Sequence, residues 1–141
     1  MNLIAAQYKE WVKSEPFDIG ITTREALGPL LGVEDATDLC RVAKFRAYMG
    51  NRDSASNGCM MRSTPIAVWG AGLSNKEFRD LTKSEVQLTH PNQTAADAVY
   101  IYNFAIKFLL ENKDDGDKAG KCFEACQKEA SKFKIQMSGG Y

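Results

Sequence analysis

The chain of 141 residues contains a single histidine, His90, and no surplus of either charge, since 18 Lys and Arg offset 18 Asp and Glu. Neutrality excludes a long-range field able to recruit nucleic acid or an anionic membrane, so any anion site must be local. No apolar run approaches the ~20 residues needed to span a bilayer, and the N-terminus lacks the basic stretch and apolar core of a secretory signal. The expectation is a cytoplasmic protein with no nucleic-acid partner and no membrane partner. A zinc site would call for paired short cysteine spacings and more histidine than this chain has. Cys122 and Cys126 lie four apart in a helical pattern, while Cys40 and Cys59 are isolated, so reduced, buried thiols are expected. Internal repeats and low-complexity tracts are missing as well.

Period-two alternation of β-branched residues is almost absent, whereas apolar residues recur at helical spacing nearly everywhere. The expected fold is therefore all-α, a helical bundle forming one domain, and a chain of this size can bury roughly 70% of its unfolded surface. Residues 2–14 read as a helix with Leu3, Ile4, Tyr8, Trp11 and Val12 inward, and its start almost at Met1 suggests a preceding element in a complete domain. Thr22 and Glu25 offer a capping box before a short helix that stops at Gly32. Residues 36–49 suit a helix with Leu39, Val42, Ala43 and Tyr48 inward, followed by a polar loop from Gly50 to Ser56.

A helix can begin at Asn57, with a kink or break imposed by Pro65. Ser74 and Glu77 form a second capping box, opening a helix through Leu88 with Phe78, Leu81 and Val86 on its apolar side. From Pro91 to Leu110 the positions Ala95, Ala98, Val99, Tyr102, Ala105, Ile106 and Leu109 follow the 3.6 period, and Ile101, Phe104 and Phe108 add apolar surface elsewhere. A helix apolar on several sides belongs at the centre of a bundle, here with His90 at the cap and Pro91 in the first turn. Residues 117–133 give a last helix, and Ser138–Tyr141 reads as a loop cut short.

The densest chemical pattern runs from Asp53 to Arg62. Small hydroxyl residues lead to Asn57-Gly58 and then into helix-compatible residues, which leaves backbone N–H groups free at a helix start where an anion is favoured. Asn57-Gly58, Met61-Arg62 and Pro65 together resemble the N-G-x-x-M-R-x-x-P signature of the ADP-ribosylglycohydrolase family, and Thr89-His90 stands where that family carries a Thr-His pair. Upstream, Trp11, Ser14, Pro16-Phe17-Asp18-Ile19-Gly20 and Thr22-Thr23 are similar to the family's W-x-x-S-x-P-F-D-I-G-x-T-T stretch. Three blocks in order, from about Leu3 to Leu110, carry the resemblance. The chain corresponds to about the middle half of the family's domain.

The resemblance implies that Ser54, Ala55, Ser56, Asn57 and Gly58 line an ADP-ribose site, with loop amides and hydroxyls toward diphosphate and ribose, and that His90 faces the same ligand. Family members often carry an aromatic residue at Ala55 and glycine at Ser56, so stacking is lost and the loop stiffened here. Arg62, one turn into its helix, reads as an internal salt-bridge partner, and Asp18 as a residue fixing the turn before Thr22. Hydrolysis in the family is expected to use two Mg2+ or Mn2+ ions held by an early Thr-Asp-Asp cluster and a late Gly-Asp-Thr-Asp-Thr cluster. Neither cluster occurs in this sequence, and Asp114-Asp115-Gly116-Asp117 reads as a solvated cap between helices. No catalytic residue and no metal ligand is therefore assigned within the chain.

Three functions follow as expectations. The first is the central piece of a hydrolase that removes ADP-ribose from modified proteins or related conjugates, the piece itself being inactive. A second is a non-catalytic ADP-ribose-binding or interaction module. The third is a helical scaffold without a ligand.

Overall fold

The computed structural model describes residues 1–133, and among them every regular element is helical. Eight α-helices follow one another: α1 (Asn2–Lys13), α2 (Ile21–Leu27), α3 (Leu39–Gly50), α4 (Gly58–Met61), α5 (Thr64–Trp69), α6 (Asn75–Val86), α7 (Gln93–Glu111) and α8 (Lys118–Ala130). Tighter 3-10 turns over Gly28–Gly32 and Ala36–Asp38 join α2 to α3.

The boundaries have local causes. The chain leaves α1 through Glu15, the one non-glycine residue with positive φ among those described (53°), just before Pro16. The break between α4 and α5 falls at Arg62-Ser63, with Pro65 in the first turn of α5, where its missing N–H does no harm. Ser74 caps α6 reciprocally with Glu77: Ser74 Oγ accepts from the Glu77 amide at 3.3 Å, and the Glu77 carboxylate accepts from the Ser74 amide at 3.1 Å. This is the box the sequence indicated.

The apolar interior has three neighbouring parts. Ala5, Leu27, Leu30, Leu39, Ala43 and Leu88 close the first, so α1, α2 and α3 share a core with the turn that follows α6. Cys59, Val86, Ala95, Ala96 and Val99 form the second, beneath α4. Ala67, Phe78, Tyr100, Phe104 and Phe133 fill the third, where Tyr100 meets Phe133 edge-on at 5.6 Å between ring centres. α4 and the turn after α6 thus connect the N-terminal helices to the part of the bundle built around α7.

Several expected inward positions face out. Leu3, Trp11 and Tyr48 are exposed, whereas Ile4, Tyr8 and Val12 pack on the first core. On α7 the buried stripe is Ala95, Ala96, Val99, Tyr100, Asn103, Phe104 and Lys107, leaving Ala98, Tyr102 and Leu109 exposed. The stripe includes two polar residues that find partners inside: Asn103 Oδ1 accepts from Ser63 Oγ at 2.9 Å, and Lys107 Nζ donates to the Ala71 carbonyl at 2.6 Å.

Two expected caps also move. The Thr22–Glu25 box does not form, because α2 already starts at Ile21 behind Gly20 and the Thr22 hydroxyl turns toward the 51–58 loop instead. Asn92, not His90, caps α7, its side chain accepting from the amides of Thr94 at 2.8 Å and Ala95 at 3.3 Å, and Pro91 precedes the helix. The reading of Ser138–Tyr141 as a loop lies outside the described residues.

Candidate functional site

The loop after α3 is held by hydroxyls, one imidazole and one amide. Thr22 Oγ1 lies 3.1 Å from Ser54 Oγ, and Ser56 Oγ donates to Thr22 Oγ1 at 3.3 Å. Ser56 Oγ also sits 2.7 Å from His90 Nε2, while His90 Nδ1 sits 2.7 Å from Thr89 Oγ1. A neutral ring donates through one of these nitrogens and accepts at the other, so both hydroxyl contacts can be satisfied at once. The loop and the Thr-His pair, far apart in sequence, are thus brought together.

His90 is fully buried. Burial, and then the Arg62 guanidinium, pull its pKa down to about 4, so the ring is neutral near pH 7. It ends the turn after α6, its backbone N–H donating to the Val86 carbonyl at 2.8 Å. Gly58 backs onto the ring: a Cβ there would stand 3.3 Å from Thr23 Oγ1 and 3.5 Å from His90 Cε1. Burial pushes the Cys59 thiol up.

Ser56, Asn57 and Gly58 border a cavity of about 340 Å³. Its opposite wall comes from Asp18 to Thr23, with Met61, Arg62 and Trp11 completing the rim. Ala55 faces a smaller recess of about 90 Å³ beside Ala95 and Val99. Ser54 bonds Thr22 behind the rim, and His90 lies one layer beneath Ser56. Only three of the six expected ligand residues therefore border the main cavity. The free amides expected at a helix start belong to a single turn, since α4 has only four residues, and so carry little helix-dipole strength.

Sequence reading did not assign the Asp18–Thr23 wall to a site, although these residues sit in the upstream block. Their signal was the pair Thr22-Thr23 in that block, and Thr22 meets the loop directly through the hydroxyls of Ser54 and Ser56. Asp18 itself is exposed and borders the cavity.

Under the rim lies a buried charge pair. Arg62 Nε donates to Glu85 Oε1 at 2.6 Å and to Tyr8 Oη at 3.2 Å, Tyr8 Oη donates to Glu85 Oε1 at 2.6 Å, and the guanidinium covers the Tyr8 ring at 5.1 Å. Arg62 is the internal salt-bridge partner expected of it. Its own charge is reinforced by Glu85, which holds its pKa above the usual value against the effect of burial. Gln7, Tyr8, Trp11, Leu27 and Arg62 border an apolar depression that shares Trp11 and Arg62 with the main cavity.

Among the described residues no three His, Cys, Asp or Glu side chains converge as metal ligands. Asp115 accepts from the Asp117 amide at 2.9 Å and pairs with Lys121 at 2.6 Å, a local turn before α8. The residues present do not fit a pair of hard divalent ions, which need several oxygen ligands each. No step through a metal is derived from them.

No helix of the described residues is long and apolar enough to cross a membrane. No solved structure matches the chain. Over 125 residues it is 27% identical to a protein of Acanthamoeba polyphaga mimivirus named "Putative ADP-ribosyl glycohydrolase", an alignment covering 84% of this chain and 36% of that protein. The chain thus spans about a third of the length of this relative. The family model described as ADP-ribosylglycohydrolase matches residues 2–134, which takes in all three sequence blocks and both walls of the cavity. On that match, the chain belongs to the ADP-ribosylglycohydrolase family.

Proposed function

We propose that this chain supplies the ADP-ribose-binding wall of a hydrolase that cleaves the ribosyl linkage of ADP-ribosylated proteins or related conjugates. The observation that carries the reading is the meeting of two family blocks at one cavity, lined by both Asp18–Thr23 and Ser56–Gly58, with the Thr89-His90 pair fastened to Ser56. Hydroxyls of Thr22 and Ser56 and the Asn57 carboxamide offer donors and acceptors to a ribose diol or a diphosphate. Ser54 and His90 act by holding that wall, and Ala55 borders its edge.

Cleavage itself belongs to the complete family domain, where Mg2+ or Mn2+ bound by carboxylate clusters would polarise the ribosyl linkage and position water. The donor set of the described residues favours binding without turnover by this chain alone. Calorimetry with ADP-ribose and a hydrolysis assay on the same preparation, with magnesium supplied, test the proposal together. Binding without release of ADP-ribose is the expected result. Turnover would reveal a metal site among these residues, and the absence of both binding and turnover would leave a helical scaffold.

A further inference from the structure

Asn51 is one of the few polar side chains that the fold buries almost completely, 3% exposed at the end of α3. Its carboxamide Nδ2 donates to the Thr22 carbonyl at 2.8 Å and to the Thr89 carbonyl at 3.0 Å. Its backbone is engaged as well, the N–H donating to the Ala47 carbonyl at 2.7 Å and the carbonyl accepting from the Ser54 amide at 3.1 Å. Four bonds leave this residue, and they reach α2, α3, the 51–58 loop and the turn after α6. These are the segments that present Thr22, Ser56 and His90.

We infer that Asn51 is a positioning residue for the candidate site, setting the distance between the Thr22 wall, the Ser56 loop and the Thr89-His90 turn through its two-pronged amide. The chemistry requires an amide. Two carbonyl oxygens from different segments converge on one NH2 group, whose two protons point at both; a carboxylate of the same shape would set oxygen against oxygen, and an alanine would leave both carbonyls buried without a donor. Because Thr89 and His90 are adjacent, a shift of the Thr89 carbonyl carries the imidazole with it. Ser56 then loses its partner at Nε2 and the rim opens.

The inference rests on the proposed binding reading for its functional meaning, but its geometry is measured independently. His90 is the only histidine in the chain, so its ring nitrogens give an isolated NMR signature of the site. In the full chain, Asn51→Ala and Asn51→Asp are expected to shift the His90 Nε2 resonance toward that of a solvent-exposed ring and to weaken ADP-ribose binding about tenfold or more, whereas Ser63→Ala, a buried change elsewhere, lowers the melting temperature and leaves the ring signature in place. An unchanged His90 signature in both Asn51 variants overturns the inference, whatever ADP-ribose does. Should neither variant fold, the wild-type chain decides: slow exchange of the Asn51 carboxamide protons with couplings to the Thr22 and Thr89 carbonyls supports it, and fast exchange overturns it. Failure of wild-type ADP-ribose binding with the ring response intact would remove the binding reading and leave the positioning role standing.

Discussion

Arg62 and Glu85 form an ion pair at 2.6 Å in which the glutamate side chain is only 1% exposed and the arginine 17%. Among the described residues one oxygen of Glu85 and one guanidinium nitrogen, Nη1, have no partner, so the pair depends on its mutual contact. Removing one member leaves an uncompensated buried charge. Glu85→Leu or Arg62→Met is therefore expected to destabilise the fold by about 3–5 kcal/mol, while the double change to apolar residues recovers most of that loss. Urea unfolding of the two single variants and the double variant measures both effects.

Stability should fall as pH drops through the range in which the unfolded chain protonates His90. The folded pKa is about 4 against 6.5 for the free side chain, so between these values the unfolded state binds more protons than the native one. The contribution is fully present above pH 6.5 and is lost progressively toward pH 4, on the order of 3 kcal/mol in all. His90→Asn should flatten this dependence. Denaturant unfolding at a series of pH values, paired with NMR titration of the ring, checks sign and midpoint.

Gly70 ends α5 where the chain passes over Phe78. A Cβ there would approach Phe78 Cδ2 to 2.7 Å and the Ile66 carbonyl oxygen to 3.1 Å, whereas one on Gly72 would meet nothing within 4 Å. Gly70→Ala should cost about 1–3 kcal/mol by displacing the Phe78 ring. Gly72→Ala should stay within about 0.5 kcal/mol of the parent. Thermal melts of the two variants side by side make the comparison.

At Gly58 the room is smaller than at Gly72 and larger than at Gly70. Alanine there would make a tight contact with Thr23 Oγ1 at 3.3 Å, which a small rotation of that hydroxyl relieves. Gly58→Ala is expected to change stability by less than about 1 kcal/mol, and Gly58→Val to exceed that by driving the branched side chain toward the His90 ring. Melting temperatures, read with the His90 ring resonances, distinguish relief from displacement.

The class of the fold and the order of its helices are legible in the residues because caps and breakers are local. Ser74 with Glu77 and the position of Pro65 need no knowledge of the rest of the chain. Which face of α7 turns inward is a different matter, since Lys107 and Asn103 look like surface residues until the Ala71 carbonyl and the Ser63 hydroxyl arrive to bond them. Glu85 was unreadable for the same reason: a charged residue belongs inside only once Arg62 and Tyr8 stand beside it.

The candidate site divides in the same way. Asn57 and Gly58 were visible as a motif, and Ser56 as a departure from it. The opposite wall was not assigned, because its relation to the loop exists only after α2 and α3 pack. The neighbouring Pro91 suggests His90 as the cap, yet Asn92 has the better side chain for that position, its short amide oxygen reaching back to accept from the following backbone N–H groups.

The charge pair under the rim also bears on the order in which the molecule assembles. Tyr8 meets Glu85 at a sequence separation of 77 and Arg62 at one of 54, whereas α2 packs on α3 and α7 on α8 as consecutive neighbours. Hairpins of adjacent helices close short loops and can form early; the Tyr8–Arg62–Glu85 contact must wait for the N-terminal helix to return over the middle of the chain. Substitutions in this trio are then late-forming positions in kinetic terms. They should accelerate unfolding in proportion to the stability lost and leave the refolding rate nearly unchanged.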